Sequence, residues 1–127
     1  MSRLFLHLAS TSPEEHVAVP RTEDRDARLH DLEQERILLH RIQSSDTKAF
    51  AELIQRYTTR LVRFANHTVH SWDIAEDIVQ AVFIHLWERR HTIDPERSLK
   101  PYLFKAVRNR ALDVQKNTRV RHKHSQR

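Results

Sequence analysis

Apolar residues recur at helical spacing over most of the chain, and the pattern is strongest over residues 72–90. Two neighbouring apolar stripes run along this segment: Ile74, Ile78, Ala81, Val82 and His85 form one, and Ala75, Val79, Phe83, Leu86 and Trp87 form the other. A helix apolar over so much of its circumference is normally the central member of a bundle. Asp73 is a candidate N-cap, with Glu76 at the capping-box spacing.

A narrow polar strip interrupts this apolar surface and is made by Asp77, Gln80 and Glu88. Two interpretations stay open. The strip is either the solvent side of the helix, as isolated polar surfaces usually are, or a surface offered to a partner.

Two helices are predicted before this segment. The first begins near Leu29 and ends at the polar turn 43–45, with its apolar face on Leu29, Leu32, Leu38 or Leu39, and Ile42. The second covers about residues 47–69, and Asp46 is its candidate N-cap. Its apolar face carries Phe50, Leu53, Ile54, Tyr57, Leu61, Phe64 and Ala65.

A loop over residues 91–100 contains the turn-forming pair Asp94-Pro95 and leads to a last helix over about residues 101–118. Ser98 is a candidate cap, and Pro101 suits the first helical turn. The core stripe of this helix is Leu103, Val107, Ala111 and Val114.

These elements predict an all-α fold, a compact bundle of about four helices. The chain has no Gly, and strand-type alternation is hard to find. Residues 1–28 lack a period and are predicted to be a disordered N-terminal extension. Residues 29–120 form the helical domain, and residues 121–127 form a basic tail.

The charge of the chain changes sign along its length. Residues 1–87 hold 10 Lys/Arg and 13 Asp/Glu, whereas residues 88–127 hold 12 and 4. A basic C-terminal part on a mildly acidic body favours a polyanionic partner. The chain has no Cys, so a disulfide framework is excluded. No apolar run reaches the roughly 18 residues of a membrane span, and we expect a cytoplasmic protein.

The last helix provides the clearest functional signal. At 100° per residue, one face carries Lys105, Arg108, Asn109, Leu112, Lys116 and Arg119. Phosphates attract Lys and Arg, and base edges pair with Asn and Arg, so this face suits nucleic acid. The alternative is an ordinary solvated face. Three nearby aromatics, Trp87, Tyr102 and Phe104, are either core residues or stacking platforms for unpaired bases.

Enzyme motifs are missing from the sequence, which has no glycine-rich phosphate loop, H-E-x-x-H or nucleophile elbow. The chain contains 10 His, of which His67 and His70 are three residues apart and His122 and His124 flank a lysine. A metal site would need two or three more converging ligands, so ordinary surface or half-buried histidines are the better account. We therefore expect a protein that is not an enzyme and that has no metal site and no cofactor.

Three blocks occur in an order and at a spacing that resemble region 2 of an extracytoplasmic-function (ECF) sigma factor. They are D-T-K-A-F-A-E-L-I-Q-R-Y from Asp46, A-E-D-I-V-Q-A-V-F-I-H-L-W from Ala75 and P-Y-L-F-K-A-V-R-N-R-A-L-D from Pro101. The resemblance covers about residues 31–120. It implies a helical domain that binds core RNA polymerase, recognises the promoter −10 element and helps to melt it.

The resemblance also implies two sets of site residues. The polymerase clamp helices, which belong to its largest subunit, would contact the helix of residues 75–90 at Glu76, Asp77, Gln80, Ala81 and Ile84. The non-template strand would contact the loop and the last helix at Arg97, Ser98, Lys100, Lys105, Arg108, Asn109, Leu112, Lys116 and Arg119. Asn109 matches a family position at the pocket for a flipped base.

The chain departs from the family pattern in three ways. Ala81 replaces a frequent Glu, and Ile93 and Leu99 occupy loop positions where relatives carry Gly or an aromatic. We expect the second, region 4 domain to be absent, which fits a truncated product, an engineered fragment or a one-domain variant. Two other functions stay open: a sigma-like interaction module that titrates an anti-sigma factor without DNA activity, and a non-specific helical nucleic-acid-binding protein.

Overall fold

The structure, a computed structural model, describes the backbone of residues 22–125 and the side chains of residues 22–119. Within this range the chain is helical throughout, apart from its connections: α1 (Thr22–Gln43), α2 (Thr47–Val69), α3 (Trp72–Glu88), a 3₁₀ turn (Arg90–Thr92) and α4 (Leu99–Ser125). The predicted all-α fold of about four helices is confirmed. None of these helices is long and apolar enough to cross a lipid bilayer.

The chain divides into two units, residues 1–33 and residues 34–127. The described part of the first unit is the beginning of α1, where every side chain from Thr22 to Glu33 is exposed. Leu29 and Leu32, predicted to lie on an apolar face, are 63% and 49% exposed. Residues 1–21, the rest of the predicted N-terminal extension, lie outside the described residues.

Helix α1 begins at Thr22, well before the start near Leu29 that the sequence predicted. The prediction relied on an apolar period, and a helical segment without a buried face does not produce one. Glu23 and Asp24 in the first turn favour this start, because carboxylates stabilise the positive end of a helix dipole. Residues 22–28 are therefore helical, whereas the sequence pattern predicted disorder there.

The second unit is organised around α2, which packs against both α3 and α4. Its apolar face is buried as predicted, with Leu53, Tyr57 and Leu61 almost inaccessible. Helix α3 contributes Ala75, Ile78, Val79, Val82, Phe83 and Leu86 to the core, and α4 contributes Leu99, Leu103, Val107 and Ala111. Ile74, assigned to an apolar stripe from its spacing, is exposed.

The helix ends agree partly with the sequence. Asp46 caps α2, since its carboxylate accepts hydrogen bonds from the backbone N–H groups of Lys48 and Ala49 at 3.0 and 3.2 Å. The cap of α3 is Ser71, whose Oγ accepts from Ile74 N at 3.3 Å; the prediction of Asp73 was wrong. Helix α4 continues to Ser125, into the predicted basic tail.

Candidate functional site

The exposed side of α3 forms the first candidate surface. Asp77, Gln80 and Ile84 are exposed, and Ile84 retains 59% of its accessible surface. Glu76 and Ala81 are half-buried beside them. The five residues predicted to contact polymerase thus lie on one exposed or half-exposed side of the helix.

An apolar groove of about 300 Å³ runs beside this surface, between α2 and α3. It is lined by Phe50, Ile54, Thr58, Val62, Glu76, Val79, Gln80, Phe83 and Ile84. The groove brings three of the predicted residues, Glu76, Gln80 and Ile84, together with apolar side chains of α2. A surface with a central apolar depression and a polar rim has the composition of a protein-binding site.

Helices α3 and α4 carry opposite charge. Helix α3 has four carboxylates, Asp73, Glu76, Asp77 and Glu88, and its sequence has no Lys or Arg. Helix α4 has eight Lys/Arg, and Asp113 is its one acidic residue. The two helices thus carry surfaces of different charge, and the basic one on α4 is complementary to an anion.

The second candidate surface is a groove of about 810 Å³ where the end of α3, the loop and the start of α4 meet. Its lining includes His85, Arg89, Thr92, Ile93, Asp94, Arg97, Ser98, Leu99, Pro101, Tyr102 and Lys105. Three predicted DNA contacts, Arg97, Ser98 and Lys105, line this groove. The predicted Asp-Pro turn forms its rim, with Arg97 N donating to Asp94 O at 3.1 Å.

The other predicted DNA contacts lie outside the groove. Lys100 is exposed at the start of α4, and Arg108, Asn109, Leu112, Lys116 and Arg119 are exposed further along it. Asn109 does not line the groove. It lies four residues after Lys105 and therefore one turn along the same side of the helix. The basic face is thus a continuation of the groove rather than part of its wall.

The structure separates the three candidate aromatics. Trp87 packs against Phe50, with ring centroids 4.9 Å apart, and Phe104 packs against Phe64 at 5.1 Å. Tyr102, by contrast, is 37% exposed and lines the groove. Its spacing three residues before Lys105 was a signal that the two share a side of the helix.

Two further groove residues, His85 and Arg89, were not predicted as site residues. His85 lies in the last turn of α3 and Arg89 directly follows the helix. The sequence assigned both to the helix predicted to bind polymerase. Only the packing of α3 beside the loop brings them to the groove. Within the part of the chain whose side chains are described, no cluster of three or more His, Asp or Glu is arranged to hold a metal ion.

Comparison with known proteins gives a consistent result. The family model for sigma-70 region 2 matches residues 53–121. The chain is 31% identical to the RNA polymerase sigma factor NccH of Alcaligenes xylosoxydans over 67% of its own length and 46% of that protein. It is 33% identical to the ECF RNA polymerase sigma factor RpoE of Cereibacter sphaeroides over 54% of its own length and 38% of that protein.

The fold is also similar to a solved structure, the NMR structure of an engineered region 2 of sigmaE in complex with GTAAAA. The TM-score is 0.62 and the identity 28%, over 68% of this chain and 90% of the other. This chain thus spans less than half the length of the curated relatives it matches. The similarity nevertheless extends over most of the bundle.

Proposed function

This chain belongs to the sigma-70 region 2 family, and we propose that it binds core RNA polymerase through α3 and captures an unpaired base of the promoter −10 element in the groove beside α4. The role is one of recognition and strand opening rather than catalysis. The observation that carries the proposal is the groove between the loop and α4, walled by Tyr102 and by the basic residues Arg89, Arg97 and Lys105.

The chemistry of the groove suits a nucleobase with its flanking phosphates. Its volume of about 810 Å³ lies within the range of small-molecule sites. The exposed ring of Tyr102 offers a π-face on which a base can stack. Lys105 and Arg97 provide charge for the phosphates on either side, and phosphate contacts fix the register of the strand without reading its sequence.

The basic side of α4 extends this contact along the strand. Arg108, Lys116 and Arg119 are exposed beyond the groove, and Asn109 lies between them with both a donor and an acceptor for a base edge. Flipping a base out of a duplex costs a few kcal/mol, which contacts in the pocket must offset. A strand held by its phosphates on α4 and by one base in the groove favours the open form of the duplex.

The α3 surface supports the polymerase contact. Asp77 and Gln80 are exposed on a helix without Lys or Arg, beside the apolar groove that Ile84 borders. We propose that the clamp helices of the largest polymerase subunit contact this side, with basic groups near Asp77. The similar engineered region 2 of sigmaE was solved in complex with GTAAAA, which supports a short nucleic-acid sequence as the ligand.

The polymerase contact is tested by capturing bacterial core RNA polymerase with the tagged full chain. We expect Asp77→Lys to abolish capture, because it reverses charge at the centre of the exposed side. Glu52→Lys, the same reversal on the exposed part of α2, is the matched control and should leave capture intact. Equal capture by wild type and Asp77→Lys would contradict the α3 contact.

The DNA contact is tested with a pool of single-stranded hexamers, from which the tightest-binding sequence is selected and compared with a copy lacking one base at a time. We expect one position at which loss of the base lowers affinity most.

The basic face of α4 also favours a second function, non-specific nucleic-acid binding, which predicts salt-sensitive binding that no single base affects. Polymerase capture without any strand binding would instead indicate a sigma-like interaction module.

A further inference from the structure

The loop that forms one wall of the groove is weakly anchored by its own residues. Between Arg89 and Ser98, no side chain is fully buried. Two short turns are closed by Thr92 N donating to Arg89 O at 2.9 Å and by Arg97 N donating to Asp94 O at 3.1 Å. Ile93 lies between these turns. Apart from Ile93, which is half-buried against the core, the segment has few buried contacts and depends on other elements to fix its backbone.

Gln43, the last residue of α1, contacts the loop at the first of these turns and at Ile93. The side-chain amide of Gln43 donates to two backbone carbonyls, Arg90 O at 3.0 Å and Ile93 O at 2.5 Å. These carbonyls lie at the beginning of the 3₁₀ turn and just after its end. One NH₂ group thus uses both of its hydrogens to fix the path of the chain into the groove wall.

Gln43 is itself held rigidly. The preceding residue, Ile42, is completely buried. The turn that follows is closed by Ser45 N donating to Ile42 O at 2.9 Å and by Asp46 N donating to Arg41 O at 3.0 Å. The backbone at Gln43 is therefore held in place, and its amide reaches the loop from this anchored position.

Two of the other contacts to the loop are more exposed. Arg36 Nη1 lies 3.4 Å from Glu96 Oε2, but the two side chains are 47% and 65% exposed, and such pairs contribute little. Arg90 Nη2 donates to Ser45 Oγ at 3.1 Å, also at an exposed position. The Gln43 bonds are partly buried, and so is the bond that Arg90 Nη1 donates to Trp87 O at 2.8 Å. That bond ties a side chain to a carbonyl three residues earlier, whereas Gln43 holds two backbone carbonyls of the loop from a different helix.

We propose that Gln43 is a positioning residue for base capture: it sets the conformation of the loop and thereby the shape of the groove without touching DNA. The inference rests on the function proposed above. Gln43 is 47 and 50 residues away in the sequence from Arg90 and Ile93, the residues whose carbonyls it holds. Gln43 acts mainly on the base-dependent part of strand binding, since the phosphate contacts on α4 do not involve the loop. Of the phosphate contacts proposed above, that of Arg97 lies on the loop.

The test uses the selected hexamer and the same strand without the captured base. In wild type, removing the base lowers affinity. Gln43→Met keeps the side-chain volume but has no donor, and we expect it to lower affinity for the complete strand about ten-fold. Its affinity for the abasic strand should fall much less. Gln55→Met, an equivalent change at an exposed position of α2, is the matched control.

Two further variants separate positioning from general stability. Gln43→Lys retains a donor that reaches the carbonyls and should restore base dependence, whereas Gln43→Glu places a carboxylate against them and should lose it. If Gln43→Met does not fold, the comparison of Gln43→Lys with Gln43→Glu tests the inference instead. Equal base dependence in these two variants would overturn it. A Gln43→Met protein with the wild-type ratio of affinities would do the same. A wild type that binds both strands equally would instead contradict base capture itself.

Discussion

Arg41 and Asp46 form an ion pair across the turn between α1 and α2, with Arg41 Nε 2.9 Å from Asp46 Oδ2. The other carboxylate oxygen of Asp46 caps α2. One side chain thus closes the turn and starts the next helix. The hydrogen bond from Arg41, followed by that from Ala49 N, lowers the pKa of Asp46 below its ordinary 3.8.

This lowered pKa gives a prediction for acid stability. A carboxylate whose folded-state pKa is depressed stabilises the fold above its unfolded pKa and loses this contribution as the pH falls through the folded value. Asp46→Asn retains a capping side chain but not the charge. We expect its free energy of unfolding to fall less steeply than that of wild type below pH about 4. Thermal unfolding across that pH range measures it. An unchanged pH dependence would show that the Arg41 pair contributes nothing.

Tyr57 predicts the opposite behaviour at alkaline pH. Burial, with a further contribution from the hydrogen bond that its hydroxyl donates to Glu35, raises its pKa above the ordinary 10.0. A raised folded pKa stabilises the fold below pH 10 and loses that contribution as the pH rises above it. We expect Tyr57→Phe to remove this part of the alkaline destabilisation. The free energy of unfolding is measured against pH with and without Tyr57→Phe, both in a Tyr102→Phe background where Tyr57 is the one tyrosine left.

His70 predicts a stabilising substitution. It ends α2 with φ 53°, in the left-handed region that favours glycine. Relief of this strain exceeds the extra entropy of an unfolded glycine, so His70→Gly should raise the free energy of unfolding by about 0.5–1 kcal/mol. His67→Gly, inside the same helix, should lower it by a similar amount. Urea denaturation measures both, and a destabilised His70→Gly would mean that its imidazole has a structural role.

The groove predicts different effects for its aromatic residue and for its basic continuation. Tyr102→Leu removes the stacking surface and should weaken binding of the selected hexamer about 10- to 100-fold. Tyr102→Phe keeps the ring and should bind like wild type. Asn109→Ala should also lower single-strand affinity. All three should capture polymerase normally. If Tyr102→Leu bound the selected hexamer with wild-type affinity, the captured base would lie elsewhere on α4.

The sequence determined the elements of the bundle and the character of its surfaces. Helices α2, α3 and α4 were predictable because each buries one face, and a buried face leaves an apolar period in the sequence. Asp46 was recognisable as a cap, since capping is a contact within three residues. The basic side of α4 and the polar side of α3 follow from the same periodicity, because residues on one side of a helix are fixed by their spacing.

The tertiary structure decided which of these residues meet. The groove combines His85 from α3, Arg89 and the loop after it, and Tyr102 and Lys105 from α4, and no local spacing relates these three parts. The hydrogen bonds from Gln43 to Arg90 and Ile93 could not be predicted from the sequence either, because a side chain that donates to a backbone carbonyl requires no particular residue type at the acceptor. Periodicity records which face of a helix is buried, whereas contacts between distant segments depend on packing that periodicity does not encode.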